Sequence, residues 1–157
     1  MRRGLIVALL AAAIDQASKL AVLRLFAGTD GGHVIAVLPV LNFALTFNRG
    51  MSFGLFNTNA AMNAAVFTLV AAAIVAVLLV WLKRAEGPLL QVAIGLVVGG
   101  AVGNVIDRLV RGAVIDFLDF HVGQWHWFVF NLADAAISVG VGLMVIDGLR
   151  GRREAPN

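Results

Sequence analysis

The chain contains no cysteine, which excludes disulfides, thiolate nucleophiles and cysteine metal sites together. Its three histidines, His33, His121 and His126, form no HExxH pair on a helix, the pattern of a zinc protease. Ser18, Ser52 and Ser138 lack a GxSxG-like setting, and no histidine has an evident serine partner. Charge is scarce as well. Only 13% of the 157 residues are charged and 61% are hydrophobic, against about 25% and about 45–50% in a soluble domain. With a mean hydropathy of +0.92, this composition is built for lipid. The length allows one domain, covering 1–157. The formal charge of +3 and pI near 10.6 come from basic residues dispersed in ones, twos and threes. That dispersal fits membrane topology rather than phosphate binding, so no nucleic-acid partner is expected.

Four apolar stretches, about residues 4–26, 60–82, 88–106 and 128–149, reach the ~20 residues that cross a hydrocarbon core. Met1-Arg2-Arg3 before an apolar run, with Ala11-Ala12-Ala13 behind it, has the outline of a cleaved leader. Apolar sequence resumes after Lys19, however, so the segment is expected to stay as the first transmembrane helix. Arg2 and Arg3, Lys83 and Arg84, and the tail with Arg150, Arg152 and Arg153 then fall on one side. The positive-inside rule makes that side the cytoplasm and puts both termini there. The connections at about 27–59 and 107–127 lie outside. In the first, residues 33–38 and 41–47 are β-rich, broken by Pro39, and 42–47 alternate with period two. The expected architecture is an all-α polytopic membrane protein with a small extracytoplasmic β platform between helices 1 and 2. Residues 151–157 read as a disordered tail.

Two aspartates stand out against this background. Asp116 lies in Val114-Ile115-Asp116-Phe117 and Asp134 in Phe130-Asn131-Leu132-Ala133-Asp134, both among apolar residues near the outer boundary. A carboxylate at a helix centre in a bilayer costs about 2.5–3.5 kcal/mol, and such residues are usually kept for function. Two carboxylates close together in low dielectric cannot both ionise easily and share a proton. That is the aspartic-protease arrangement, in which one group takes a proton from water and the other donates to the scissile carbonyl. Asn131, three residues before Asp134, can orient it or cap the helix start. Asp15 and Lys19 are four apart and can pair, about 17 Å into the first span. Asn104, Asp107 and Arg108 share a helical face behind Gly99-Gly100-Ala101-Val102-Gly103. They can close a helix end, or Arg108 can offer its fork to a ligand. Asp30, Asp119, Asp147 and Glu154 read as loop, rim or tail charges, and Trp125, His126 and Trp127 as an interfacial aromatic belt. The rival readings are a small proton-coupled transporter and a non-catalytic lipopeptide-binding membrane protein.

Taken together, the chain resembles the bacterial lipoprotein signal peptidases, or signal peptidase II. The resemblance is carried by Asp15-Gln16-Ala17-Ser18-Lys19, Asn48-Arg49-Gly50-Met51-Ser52-Phe53-Gly54, the run from Gly99 to Arg108, Val114-Ile115-Asp116-Phe117, and Phe130-Asn131-Leu132-Ala133-Asp134. It implies an inner-membrane aspartic endopeptidase, needing no cofactor or metal, that cuts diacylglyceryl-modified prolipoproteins before the lipidated cysteine. Asp116 and Asp134 match the catalytic pair. Asn48, Gly50, Asn104, Arg108 and Asn131 match positions that bind substrate or support the pair, and Asp15, Lys19 and Asp107 match structural ones. The expected partners are the substrates and membrane phospholipids, with the chain acting as a monomer. It departs from the usual pattern at Met51-Ser52, where two alanines are common, and at Phe128-Val129, where a proline often stands.

Overall fold

A computed structural model describes residues 1–29, 33–49 and 60–153. Four helices carry the molecule: α1 (Arg2–Leu25), α2 (Ala60–Arg84), α3 (Pro88–Arg111) and α4 (Leu132–Arg153). Among the described residues these are the helices long and apolar enough to cross a membrane. Four strands, β1 (Val34–Leu38), β2 (Leu41–Asn48), β3 (Val114–Val122) and β4 (Trp125–His126), make one antiparallel sheet in that order. The protein is a mostly helical, four-span membrane protein with a small sheet at one end.

The helix at the centre is α3, which packs against α1, α2 and α4. Half of its apolar window is buried, against 11% in α2. Lipid is as apolar as a leucine side chain, so helices in a bilayer associate through close packing rather than water exclusion. The glycines of α3 supply that closeness. A Cβ on Gly100 would collide with the carbonyl of Ala133 on α4, and one on Gly103 would stand 2.5 Å from the Asp15 carboxylate on α1. Ala8, Leu78, Leu82, Ile94 and Val98 fill the space between α1, α2 and α3. Outward-facing Leu9, Leu69 and Val77 form the apolar surface that a bilayer covers.

The sheet sits on the end of α1. Val22 and Phe26 pack with Ile115 and Phe117 of β3, and Phe43 and Leu45 of β2 close the cluster. Gly112, at φ +71°, ends α3 in the left-handed conformation that suits glycine and turns the chain into β3. The ends of the helices away from the sheet also meet, since Gly4 lies against Leu82 and Gly87 against Asp147. Arg2 and Arg3, Lys83 and Arg84, and the C-terminal arginines are therefore at the opposite end from the sheet.

The platform draws on both long connections, not the first alone. Strand β3 lies in 107–127, a connection in which no alternation predicts a strand. The third helix is longer than the apolar run and includes Asp107, Arg108 and Arg111, while the fourth begins at Leu132 rather than near 128. It also continues to Arg153, three residues into the stretch read as a tail.

Candidate active site

Asp116 stands near the start of β3, opposite Thr46 of β2. Asn48 follows Thr46 on the same face of β2, so its side chain reaches diagonally across the ladder. Its Nδ2 donates to Asp116 Oδ2 at 3.0 Å. The other oxygen, Oδ1, accepts from Asn131 Nδ2 at 2.6 Å. Asp116 is only 2% exposed. Burial pushes its carboxyl up from the ordinary 3.8 to about 6, with the neighbouring Asp134 charge acting in the same direction and the Asn48 and Asn131 donors opposing.

Asp134 lies in the first turn of α4, and Asn131 caps that helix. Asn131 Oδ1 accepts from the Asp134 amide at 3.0 Å, and the Asn131 amide donates to Asp134 Oδ2 at 3.3 Å. This is a reciprocal capping box. Asn131 thus performs both tasks read from its spacing, capping the helix and orienting the aspartate, and also grips Asp116. Asp134 Oδ1 accepts from Asn104 Nδ2 at 2.8 Å. The two aspartates face one cavity of about 550 Å³, which Trp127, Phe128, Val129 and Phe130 also line.

The amides beneath the pair have their orientation set by a buried ammonium. Lys19 Nζ contacts Asp15 Oδ2 at 2.8 Å, Asp107 Oδ2 at 2.7 Å and Asn104 Oδ1 at 3.1 Å. An ammonium only donates, so Asn104 must turn its oxygen to Lys19 and its NH₂ to Asp134. Asp15 uses its other oxygen to accept from the Ala133 amide at 3.0 Å, satisfying an N-terminal donor of α4 from α1. Asp107 accepts from the Ile115 amide at 3.2 Å and pairs with Arg111 at 2.8 Å. Gln16 Nε2 donates to Asp15, Asp107 and the Gly103 carbonyl. Asp15, Lys19 and Asp107 are therefore a fully buried cluster that ties α1, α3, β3 and the start of α4 into one unit.

Arg108 takes a different place from Asp107. Its guanidinium lies 5.6 Å from the centroid of the Phe67 ring, and Nη1 donates to the Asn104 carbonyl at 3.4 Å. With Asn104 it forms the polar side of an otherwise apolar groove of about 280 Å³ between α2, α3 and α4. Arg49 is exposed at the end of β2. Gly50, Met51 and Ser52 lie outside the described residues.

One residue read as a rim charge is nothing of the kind. Asp119 is buried on β3 and accepts from Asn42 Nδ2 at 3.1 Å and from His126 Nδ1. The sequence signal was present in its position between Leu118 and Phe120, an acid within a β-rich run.

These arrangements can be set beside known proteins. The family described as Signal peptidase (SPase) II matches residues 7–150. A lipoprotein signal peptidase of Methylorubrum extorquens (strain PA1) is 46% identical, covering 99% of this chain and 91% of that protein. One from Burkholderia mallei (strain SAVP1) is 45% identical over 95% of this chain and 89% of its own length. Among solved structures, a bacterial membrane enzyme superposes with a TM-score of 0.81 at 27% identity, covering 95% of this chain and 94% of that one. From residue 7 to residue 150, through every segment that builds the cavity, this chain belongs to the signal peptidase II family.

Proposed function

We propose that this protein is an aspartic endopeptidase of the bacterial inner membrane that removes signal peptides from diacylglyceryl-modified prolipoproteins, cutting just before the lipidated cysteine. Family membership makes it a peptidase acting on signal peptides. The aspartic mechanism rests on one observation: Asp116 and Asp134 face a common cavity, and Asn131 holds both, its side chain donating to the Asp116 carboxylate and its backbone amide to that of Asp134.

The chemistry follows from the donors around the pair. Asn48, Asn104 and Asn131 supply hydrogen bonds to the carboxylates from beneath and beside them. An ionised carboxylate takes a proton from a water held between the two, and its protonated partner donates to the scissile carbonyl. As the tetrahedral gem-diol collapses, the proton gained from water passes to the leaving amine, and a hydroxyl proton returns to the carboxylate that had protonated the carbonyl. Within the bilayer, the groove beside Phe67 and Arg108 accepts apolar parts of the substrate, and the guanidinium meets its polar groups. The positive-inside rule puts the arginine-rich end in the cytoplasm and the sheet outside, level with the cleavage site of a lipid-anchored precursor. All the groups used come from one chain, so a monomer of one domain, 1–157, suffices.

The test is incubation of the purified protein in lipid with a diacylglyceryl-modified prolipoprotein. The new N-terminus should be the lipidated cysteine. Asp116→Asn and Asp134→Asn should each lower turnover by at least about a thousandfold, as loss of a central acid–base group does, while still inserting and folding. Full processing by either variant, or a cut elsewhere, overturns the assignment.

A further inference from the structure

The aromatic part of the cavity lining is held by contacts that the proposed chemistry does not use. After β3 the chain turns through Gly123-Gln124, with Gly123 at φ +61°, and returns antiparallel, pairing Val122 with Trp125 and His121 with His126. The pairing extends beyond β4: the Trp127 amide donates to the Phe120 carbonyl at 2.7 Å, and Phe130 exchanges hydrogen bonds with Leu118 at 2.8 and 3.1 Å. Between those two anchors β3 has one residue, Asp119, and the returning strand has two, Phe128 and Val129. The return is therefore bulged opposite Asp119, and bulges next to active sites re-aim side chains. Trp127, Phe128 and Val129 all line the cavity, and Phe128 is 75% exposed.

This edge ladder is short, and the bulge interrupts it between Trp127 and Phe130, so it is a weak hold. The missing restraint comes from Asp119 itself. Its side chain turns to His126, whose Nδ1 lies 2.9 and 3.0 Å from the two carboxylate oxygens. Asn42, the cross-strand partner of Asp119 on β2, donates to Oδ2 at 3.1 Å. Burial raises the Asp119 carboxyl, but the His126 and Asn42 donors outweigh it and hold the group below its ordinary value. The carboxylate can only accept, so His126 must carry its proton on Nδ1. The His121 ring stacks on His126 with centroids 5.1 Å apart, completing the clamp.

We propose that Asp119 and His126 are positioning residues that fix the bulged lip Trp127–Phe128–Val129 against the cavity, and that this lip sets how tightly the apolar side chains of the substrate next to the cut bond are gripped. The inference rests on the reading that this cavity is where the peptide bond is cut. Its predicted signature is in capture rather than chemistry, because the clamp touches neither Asp116 nor Asp134.

The experiment uses the full chain in lipid with the diacylglyceryl-modified prolipoprotein. His126→Ala should raise KM roughly tenfold, the scale of a lost charge-assisted hydrogen bond, with kcat within about twofold. His126→Asn, which keeps a donor near the Nδ1 position, should recover most of the loss. In a Trp127→Ala, Phe128→Ala background, His126→Ala should add nothing further, since contacts acting through one element are not additive. Hydrogen exchange of the same proteins without substrate should show lost protection confined to residues 118–130 in His126→Ala. That readout stands even if the wild type fails to cut this substrate, an outcome that would sink the proposed function and not the clamp. Unchanged exchange in 118–130, a fall in kcat with KM unmoved, or full additivity with the lip substitutions would each overturn the proposal.

Discussion

At the scale of single residues, the two aspartates are held differently, and Asp116 carries the sharper consequence. It is buried in the sheet, and its carboxyl is raised from 3.8 to about 6, first by burial and then by the Asp134 charge. A carboxyl that titrates higher in the fold than in the unfolded chain favours folding while protonated. Its contribution is complete below 3.8 and is lost as pH rises through about 6. The wild type should therefore lose thermal stability relative to Asp116→Asn between about pH 4 and pH 7.5. Melting curves of both proteins in one detergent across that range decide it, and a difference independent of pH would show that Asp116 is not strained by ionisation. The Lys19 cluster is balanced differently. There two carboxylates meet one ammonium within hydrogen-bond distance, and Arg111 adds a second cation at Asp107. Removing one member of such a buried set leaves a charge uncompensated, at a typical cost of about 3–5 kcal/mol. This is why costly acids within one membrane protein divide into those that can react and those that hold the frame.

At the scale of elements, α3 decides the geometry, and its glycines test that. Gly100 faces the Ala133 carbonyl at the start of α4, one residue from Asp134. A methyl group there must push α4 away, and overpacking of this kind costs about 1–3 kcal/mol. Gly142, further along α4, has nothing within 4 Å of an added Cβ. Gly100→Ala should lower the melting temperature and activity together, whereas Gly142→Ala should leave both in place, as thermal melts and cleavage rates will register. The helices themselves are legible in sequence because an apolar run of about 20 residues has few other fates. Strand β2 is legible from alternation and β1 from its β-rich composition, but β3 is not. Val114, Ile115, Asp116 and Phe117 are all buried, on both faces of the strand, so no period of two appears. Its partner β2 lies some seventy residues earlier, a pairing that local pattern does not encode. The same reasons hid part of the site. Asp116, Asp134 and Asn131 announce themselves as polar residues where polarity is expensive. Asp119 is recognised only when Asn42 from one connection and His126 from a hairpin turn are brought to it. Asp107 and Arg108 are neighbours on one helix, and only the packing of α3 shows one directed towards Lys19 and the other towards Phe67.

At the scale of the whole molecule, the two ends differ in kind. One end collects Arg2, Arg3, Lys83, Arg84 and the arginines that finish α4, and the other carries the sheet, the aspartates and the exposed Trp125 and Trp127. Indole rings favour the membrane–water boundary, and arginines are retained on the cytoplasmic side. The proposed reaction needs this polarity, because a precursor anchored by its lipid presents the cut bond at the outer leaflet. The absence of cysteine gives a direct way to test it, since any introduced thiol is the only one in the protein. A Gln124→Cys variant places the thiol at the tip of the β3–β4 hairpin, and Glu86→Cys places it between α2 and α3 at the arginine-rich end. In intact cells stripped of their outer membrane, a membrane-impermeant maleimide should label Cys at 124 at once and Cys at 86 only after the inner membrane is opened. Both substitutions avoid the cavity, so cleavage activity can be followed in the same preparations. Labelling in the reverse order would place the aspartates on the cytoplasmic side, away from any translocated precursor, and the peptidase reading would fail with the topology.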